Sequence, residues 1–323
     1  MPALDPEVEM LLELGRKAGR PPFEALTPEE ARSAYAASWD VLQPAAAAVA
    51  SVRDVVVPGG GGELRLRVYR GAGTQADELL PCLVFLHGGG WVIGNLESHD
   101  RICRRLANIA RICVVAVDYR LAPEHRFPAA LDDSVTALRW VAANVGALHI
   151  APGRIAVGGD SAGGNLAAVL ALMGRDGSVP PSMYQALLYP VVDLTAASAS
   201  YLRVTSGLPL TAATMRYFIA HYTPTATDRL DWRASPLHAK SLAGTPPALV
   251  LTVAHDPLCD EGVAYARRLE DDGVRVTALH LGDHMHGMLM HGRLVQASNL
   301  VLDFVGAAIG DALHRGVPAR QTP

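Results

Sequence analysis

The sequence predicts an α/β protein in which helices cover both faces of a mostly parallel sheet of eight strands. Three observations lead to this fold class. Six short apolar runs recur along the chain, helical stretches separate most of them, and a glycine-rich turn joins two further runs before them. Strands buried on both faces form continuous apolar runs, so this alternation is typical of a parallel sheet between helices. A chain of 323 residues can bury one large core and carry a small additional lobe.

The first elements are helical. Helical periodicity covers residues 4–14 and 27–38. The second helix has a clear start at Thr27-Pro28-Glu29-Glu30, because Thr suits the N-cap, Pro the first turn, and acidic side chains the positive end of the helix dipole. We therefore expect helices ahead of the sheet.

A β-hairpin comes next. Val52–Val57 and Leu64–Tyr69 alternate or are β-branched on either side of Pro58-Gly59-Gly60-Gly61-Gly62. A phosphate-binding loop is the alternative for this glycine run. That alternative is disfavoured because no Lys-Ser/Thr pair is present and no helix is predicted to follow.

Six inner strands alternate with helices after the hairpin. The predicted strands are Cys82–Leu86, Ile112–Val117, Ile155–Val157, Ala186–Tyr189, Ala248–Val253 and Val274–Leu281. The predicted helices between them are Ala129–Val145, Asn165–Met173 and Glu261–Asp271. The stretch from about Asp193 to Thr245 is too long for a simple connection, and it contains the amphipathic run Leu210–Tyr222. We expect a helical lobe there.

Composition excludes several classes of protein. The 28 Lys and Arg residues nearly balance 32 Asp and Glu, for a net charge of −4, so the sequence predicts no nucleic-acid partner. No uncharged run approaches the length of a membrane span, and the acidic start of the chain does not resemble a signal peptide. No cysteine pair has CxxC spacing, which favours reduced thiols and a cytoplasmic location. The cysteines are Cys82, Cys103, Cys113 and Cys259.

The strongest chemical signal is a G-x-S-x-G motif at Gly159-Asp160-Ser161-Ala162-Gly163. It lies after a predicted strand and before a predicted helix. A serine on such a sharp turn needs small neighbours, which explains Gly159 and Gly163. The turn exposes the hydroxyl, and the following helix start favours developing negative charge. Ser161 is therefore the candidate nucleophile.

A second motif, His87-Gly88-Gly89-Gly90-Trp91, follows the strand Cys82–Leu86. Acyl transfer builds negative charge on a carbonyl oxygen, and free backbone N–H groups stabilise that charge. Consecutive glycines let a loop present its amides without interfering side chains. We expect the amides of Gly89, Gly90 and Ala162 to form the oxyanion hole.

The acid and the base should follow the nucleophile in that order. Asp256 comes directly after the apolar strand Ala248–Val253 and is the predicted acid. Its rival Asp260 suits the N-cap of the helix predicted to start at Glu261.

Four histidines compete for the role of base. His280 falls within the last strand pattern, whereas His284 and His286 fall on the loop predicted beyond it, and His291 lies further on. His286, which precedes Gly287, is the predicted base. The run Asp283–His286 lacks a recognised metal-ligand spacing, so no metal is expected.

Together these motifs make the chain resemble the bacterial hormone-sensitive-lipase-like esterases, which have the α/β-hydrolase fold. The resemblance runs from about residue 80 to the C-terminus and supports Asp256 and His286 over their rivals. Its motifs are His87-Gly88-Gly89-Gly90-Trp91, Tyr119–Glu124 with Phe127–Ala130, Gly159–Asn165, Asp256-Pro257-Leu258 and His286-Gly287.

The resemblance implies a helical cap over the active site. The cap would combine residues 1–50 with an insertion at 195–230, and the hydrolase core would comprise 51–194 and 231–323. We expect apolar side chains near the substrate from both parts. Met288 is among them and stands where the family usually has an aromatic residue. The expected substrate-binding residues are Trp91, Leu208, Leu210, Met215, Phe218 and Met288.

The expected activity is hydrolysis of small carboxylic esters with short to medium acyl chains by a serine carboxylesterase that needs no cofactor. A lipase for long chains, a peptidase or amidase, and a ligand-binding protein without catalysis are the alternatives. The presence of all three triad residues disfavours the last of these. The sequence is compatible with a homodimer as well as with a monomer.

Overall fold

The computed structural model describes residues 2–315 and contains one central sheet. Its strand order is β1-β2-β4-β3-β5-β6-β7-β8. The β1–β2 hairpin is antiparallel, β2 also pairs antiparallel with β4, and the remaining pairs are parallel. The strands are β1 Ser51–Gly59, β2 Gly62–Arg70, β3 Leu80–Leu86, β4 Cys113–Val117, β5 Ile150–Asp160, β6 Gln185–Leu188, β7 Ala248–His255 and β8 Val276–Met285.

Eleven α-helices surround this sheet within residues 2–315. They are α1 Pro6–Lys17, α2 Pro28–Ala36, α3 Trp39–Leu42, α4 Asp100–Ala110, α5 Ala129–Ala143, α6 Ala162–Arg175, α7 Ala199–Arg203, α8 Ala212–Tyr222, α9 Ala226–Leu230, α10 Cys259–Asp271 and α11 Gln296–Arg315. The predicted hairpin, the strands and the helices that alternate with them are confirmed. None of the helices in this part of the chain has the length and apolar character to cross a bilayer.

The core has two layers because successive side chains of a strand point to opposite faces. In β3, Cys82, Val84 and Leu86 face the cluster that contains α5, α6 and α10, whereas Leu83 and Phe85 face the cluster under α4 and α11. Both faces of β3 are thus buried, which explains its uninterrupted apolar sequence.

A 3-10 helix between α1 and α2, Phe23–Ala25, contacts α8, which is inserted after β6. The ring of Phe23 lies 6.0 Å from that of Phe218 in α8. The hydroxyl of Thr214 in α8 donates a 2.7 Å hydrogen bond to Glu24. The two helical segments, which are distant in sequence, therefore meet at one end of the sheet.

Several element boundaries differ from the sequence prediction, and two of these differences affect candidate site residues. β8 continues to Met285, so His284 belongs to the strand and not to the loop beyond it. The helix α10 begins at Cys259 with Leu258 at its N-cap, so Asp260 is not the capping residue. Asp260 instead pairs with Arg203 of α7 at 2.6 Å.

Candidate active site

Ser161 occupies the turn between β5 and α6 with φ of 55° and ψ of −118°. A non-glycine residue rarely adopts this left-handed region, and such strain concentrates at functional sites. The turn is possible because Gly159 and Gly163 both press on the carbonyl of Leu86, where a Cβ atom would overlap that oxygen. The Ser161 amide donates to the carbonyl of Leu188 at 2.8 Å, which fixes the turn to β6.

Ser161, His286 and Asp256 form a continuous hydrogen-bonded line. Oγ of Ser161 lies 2.9 Å from Nε2 of His286, and Nδ1 of His286 lies 2.6 Å from Oδ2 of Asp256. A carboxylate only accepts, so the proton lies on Nδ1, and Nε2 is left to accept from the serine hydroxyl. The structure thus joins the three residues that the sequence indicates.

Asp256 follows β7 directly and is 1% exposed. Its second oxygen, Oδ1, accepts a 2.8 Å hydrogen bond from the amide of Leu258 at the start of α10. Both carboxylate oxygens are thereby occupied, which holds the plane of the group toward the imidazole. The rival Asp260 faces Arg203 and takes no part in this line.

The other histidines have different partners. Nδ1 of His280 lies 2.9 Å from the hydroxyl of Thr252, and Nδ1 of His284 lies 2.7 Å from Asp283. His291 is enclosed close to His286, and burial lowers its pKa to about 4. Of the candidate bases, only His286 contacts Ser161.

The glycine loop after β3 lies beside the nucleophile. Gly89 and Gly90 have φ of 115° and 58°, a left-handed region that glycine adopts without strain. Within residues 2–315, the amides of Gly89, Gly90 and Ala162 have no protein acceptor. Three free N–H groups close to a serine hydroxyl are what a developing oxyanion needs.

His87, the first residue of this loop, is held in place by Tyr119. Its ring stacks on Tyr119 at 4.1 Å between centroids, and the hydroxyl of Tyr119 donates to the His87 carbonyl at 2.6 Å. Burial and the neighbouring His99 lower the pKa of His87 to about 3, so the imidazole is neutral at physiological pH.

The six expected substrate-binding residues occupy three different clusters. The ring of Phe218 lies directly over Gly90, and Trp91 stacks on Tyr222 with 4.3 Å between ring centroids. Leu210 and Met215 pack in the same cluster as these rings. Leu208, by contrast, packs with a small group that includes Val8 and Leu11.

Met288 is buried in a different cluster from the rings near the glycine loop. It is 1% exposed, belongs to a short 3-10 helix and packs in the cluster beneath α11. The carbonyl of Met288 accepts a 2.6 Å hydrogen bond from Ser298 of α11. The side chain therefore has core neighbours, whereas its sequence position next to His286-Gly287 indicates the substrate channel.

Three further residues close to the site have no role in the sequence prediction. Asp160 and His99 form a buried pair with 3.0 Å between Oδ1 and Nε2. The ring of Tyr189 lies 4.8 Å from that of His286, and Tyr189 has a positive φ of 37°. Of the three, only Asp160 could have been located near the site from the sequence, because it directly precedes Ser161.

No cluster of three or more His, Cys, Asp or Glu side chains suited to a metal ion occurs in residues 2–315.

Residues 83–290 match the family described as the alpha/beta hydrolase fold. The chain is 40% identical over 295 residues to carboxylic ester hydrolase LipN of Mycobacterium tuberculosis, covering 88% of this chain and 77% of the relative. It is 38% identical over 304 residues to an ethyl acetate hydrolase of Pseudomonas putida, covering 93% and 95%. Among solved structures, ester-hydrolase EH1AB1 from the Lake Arreo metagenome is 41% identical with a TM-score of 0.91, covering 97% of this chain and all of that one.

Proposed function

The chain belongs to the alpha/beta hydrolase fold family, and from this premise we propose that it is a carboxylesterase using Ser161, His286 and Asp256. One observation carries the proposal. The serine hydroxyl, 2.9 Å from the imidazole of His286, lies beside amides that have no acceptor among the described residues. The relatives reported above are named for the hydrolysis of carboxylic esters, which fits this arrangement.

In the acylation step, Ser161 attacks the ester carbonyl while Nε2 of His286 takes the hydroxyl proton. Asp256 holds the Nδ1 proton and stabilises the imidazolium that forms. The carbonyl oxygen becomes an oxyanion and accepts from the amides of Gly89, Gly90 and Ala162. The carbon–oxygen bond to the alcohol then breaks, and His286 returns its proton to the departing oxygen.

Deacylation repeats these steps with water as the nucleophile. His286 removes a proton from the water, which attacks the acyl carbonyl and forms a second oxyanion in the same hole. Collapse of this intermediate releases the carboxylic acid and restores the serine hydroxyl. Neither step needs a redox group or a cofactor.

The substrate class is a small ester with a short to medium acyl chain, of about four to eight carbons. Phe218 closes over Gly90, and the stacked pair Trp91 and Tyr222 fills the space next to it. In this proposal these rings limit the room beyond the reacting carbonyl. Residues 1–50 and 195–230 form the cap in this proposal, supported by the contact of Phe23 with Phe218.

We place the enzyme in the cytoplasm. All four cysteines are buried free thiols, and Cys82 faces Cys113 on the neighbouring strand without a disulfide between them. Reduced cysteine pairs of this kind are usual in reducing compartments.

The test is hydrolysis of p-nitrophenyl acetate, butyrate, octanoate and palmitate by the purified protein and by Ser161→Ala. We expect butyrate or octanoate to be the best substrate, and we expect the variant to lose on the order of 10⁶-fold in kcat. Activity of Ser161→Ala within tenfold of the parent, with an unchanged melting temperature, would refute the triad. Faster turnover of palmitate than of butyrate would indicate a lipase.

A further inference from the structure

A buried carboxylate that takes no part in the triad joins the two halves of the proposed oxyanion hole. Asp160 precedes Ser161 and is 4% exposed. Its Oδ1 accepts a 2.9 Å hydrogen bond from the amide of Gly88 and lies 3.0 Å from Nε2 of His99. Gly88 fits closely here, because a Cβ atom at that residue would overlap the carboxylate.

The position of this contact connects the proposed donors. Gly88 leads into Gly89 and Gly90, while Asp160 leads into Ser161 and Ala162. The ladder between β3 and β5 ends at the pair Leu86 and Gly159. Beyond that pair, the bond from Gly88 to Asp160 continues the link between the two chain segments, past the end of the β3–β5 ladder.

His99 and Ser98 orient the carboxylate. Nε2 of His99 lies 3.0 Å from Oδ1 of Asp160 and 3.4 Å from the amide nitrogen of Gly88, and Nδ1 lies 2.8 Å from the hydroxyl of Ser98. That hydroxyl donates to the carbonyl of Asn95 at 2.7 Å, so the chain of contacts ends on backbone. Ser98 and His99 are almost wholly buried, so water does not compete for these bonds.

The protonation of Asp160 fits this role. Burial opposes ionisation, but the close contact with His99, together with His87 and the Gly88 amide, outweighs it and holds the pKa of Asp160 below its ordinary value. At neutral pH the group is a carboxylate, which accepts from the Gly88 amide.

We propose that Asp160, oriented by His99, is a positioning residue that sets the spacing between the loop amides of Gly89 and Gly90 and the amide of Ala162. The proposal rests on the proposed esterase function. Misplaced donors weaken binding of the oxyanion more than binding of the neutral ester, because the charge develops only during the reaction.

The test compares Asp160→Leu and Asp160→Asn with the parent enzyme on p-nitrophenyl butyrate. Leu removes the acceptor, whereas Asn keeps one oxygen for the Gly88 amide. We expect kcat to fall by about 10²-fold for Asp160→Leu and by about tenfold or less for Asp160→Asn, with KM changed by less than about threefold in both. Asp133→Asn is the matched control, since it alters a buried carboxylate held by Arg120 away from the triad, and we expect its kcat to be unchanged.

A second measurement separates positioning from general stability. An alkyl trifluoromethyl ketone forms a tetrahedral oxyanion with Ser161, whereas the corresponding secondary alcohol does not. We expect Asp160→Leu to lose affinity for the ketone in proportion to kcat/KM, with affinity for the alcohol unchanged. A folded Asp160→Leu with kcat within threefold of the parent, or with equal losses for both inhibitors, would overturn the proposal.

Should Asp160→Leu fail to fold, His99→Leu gives the same test, because it leaves Asp160 in place without the imidazole that lies 3.0 Å from its carboxylate. We expect a fall in kcat of about tenfold and the same preferential loss of ketone affinity. Unchanged kcat and ketone affinity in this variant would overturn the proposal. A parent enzyme that hydrolyses none of the esters would refute the esterase function itself.

Discussion

At the scale of single residues, the site depends on a few strained or enclosed side chains. Ser161 keeps its left-handed backbone, which costs about 1–3 kcal/mol, because glycines on both sides let the turn press against β3. Asp256 is fixed through both oxygens and His286 through both ring nitrogens. A functional group with all its partners in place needs little rearrangement during the reaction.

The assignment of the acid predicts different outcomes for two neighbouring aspartates. We expect Asp256→Asn to lower kcat by roughly 10⁴-fold, because an amide at that position favours the wrong imidazole tautomer. Asp260→Asn is the matched control, since Asp260 pairs with Arg203 and does not contact His286. We expect that variant to keep its kcat. Steady-state kinetics on p-nitrophenyl butyrate checks both, and a greater loss in Asp260→Asn would reverse the assignment.

Met288 leads to a prediction about stability. Its side chain packs in the cluster beneath α11, so a larger ring there has no free space. We expect Met288→Phe to lower the free energy of unfolding by about 1–3 kcal/mol while the relative rates on the four esters stay the same. Thermal unfolding and the ester panel measure the two effects. A changed chain-length profile without a loss of stability would restore Met288 to the substrate channel.

At the scale of elements, one arginine joins α2 to the loops around the site. The guanidinium of Arg32 donates to the carbonyls of Val92 and Ala122, each at 2.9 Å, and pairs with Glu124 at 2.6 Å. Ala122 also donates its amide to the carbonyl of Trp91. The helix before the sheet is therefore held to the segment that follows the glycine loop.

This ion pair has a predicted pH dependence. The hydrogen bond from Arg32 lowers the pKa of Glu124 from its ordinary 4.5 to about 2. A lowered pKa stabilises the folded state above the ordinary pKa, and this contribution is lost as pH falls from about 4.5 to about 2. Since Glu124 is half exposed, we expect the pair to contribute less than about 1 kcal/mol. The melting temperature of Glu124→Gln should therefore lie slightly below that of the parent at neutral pH and converge with it in acid. A constant difference across this range would contradict the prediction.

Local sequence predicts elements better than it predicts their contacts. The strands and the turn at Ser161 follow from apolar runs and glycine spacing, which act within a few residues. The helices α4 and α11 are absent from the prediction, although their buried residues recur at helical spacing. The bond between Gly88 and Asp160 could not be foreseen, because it joins segments 72 residues apart. Nor does sequence reveal that the turn after His286 directs Met288 into the core.

At the scale of the whole molecule, three parts of the chain meet at Phe218. Its ring contacts Phe23 from the N-terminal helices and Gly90 from the loop after β3, while Phe218 itself belongs to the segment inserted after β6. The space over the proposed oxyanion hole thus depends on all three parts.

Enlarging this space should change acyl-chain preference. We expect Phe218→Ala to raise the ratio of octanoate to acetate kcat/KM by several-fold to tens-fold, which corresponds to about 1–2 kcal/mol. Leu230→Ala is the control, because Leu230 is exposed on α9. The ester panel gives the ratio for each variant. An unchanged ratio in a folded Phe218→Ala would show that this ring does not limit the acyl chain.

The order of the site residues along the sequence also determines when a nascent chain acquires its nucleophile, acid and base. The glycine loop follows β3, Ser161 follows β5, Asp256 follows β7, and His286 follows β8. A ribosome synthesises these segments in that order, and domains of this kind fold as units. An unfinished chain therefore carries its serine without a base, so the hydroxyl has the low reactivity of any alcohol. We therefore expect the polypeptide to become active toward esters only after translation has passed the last strand.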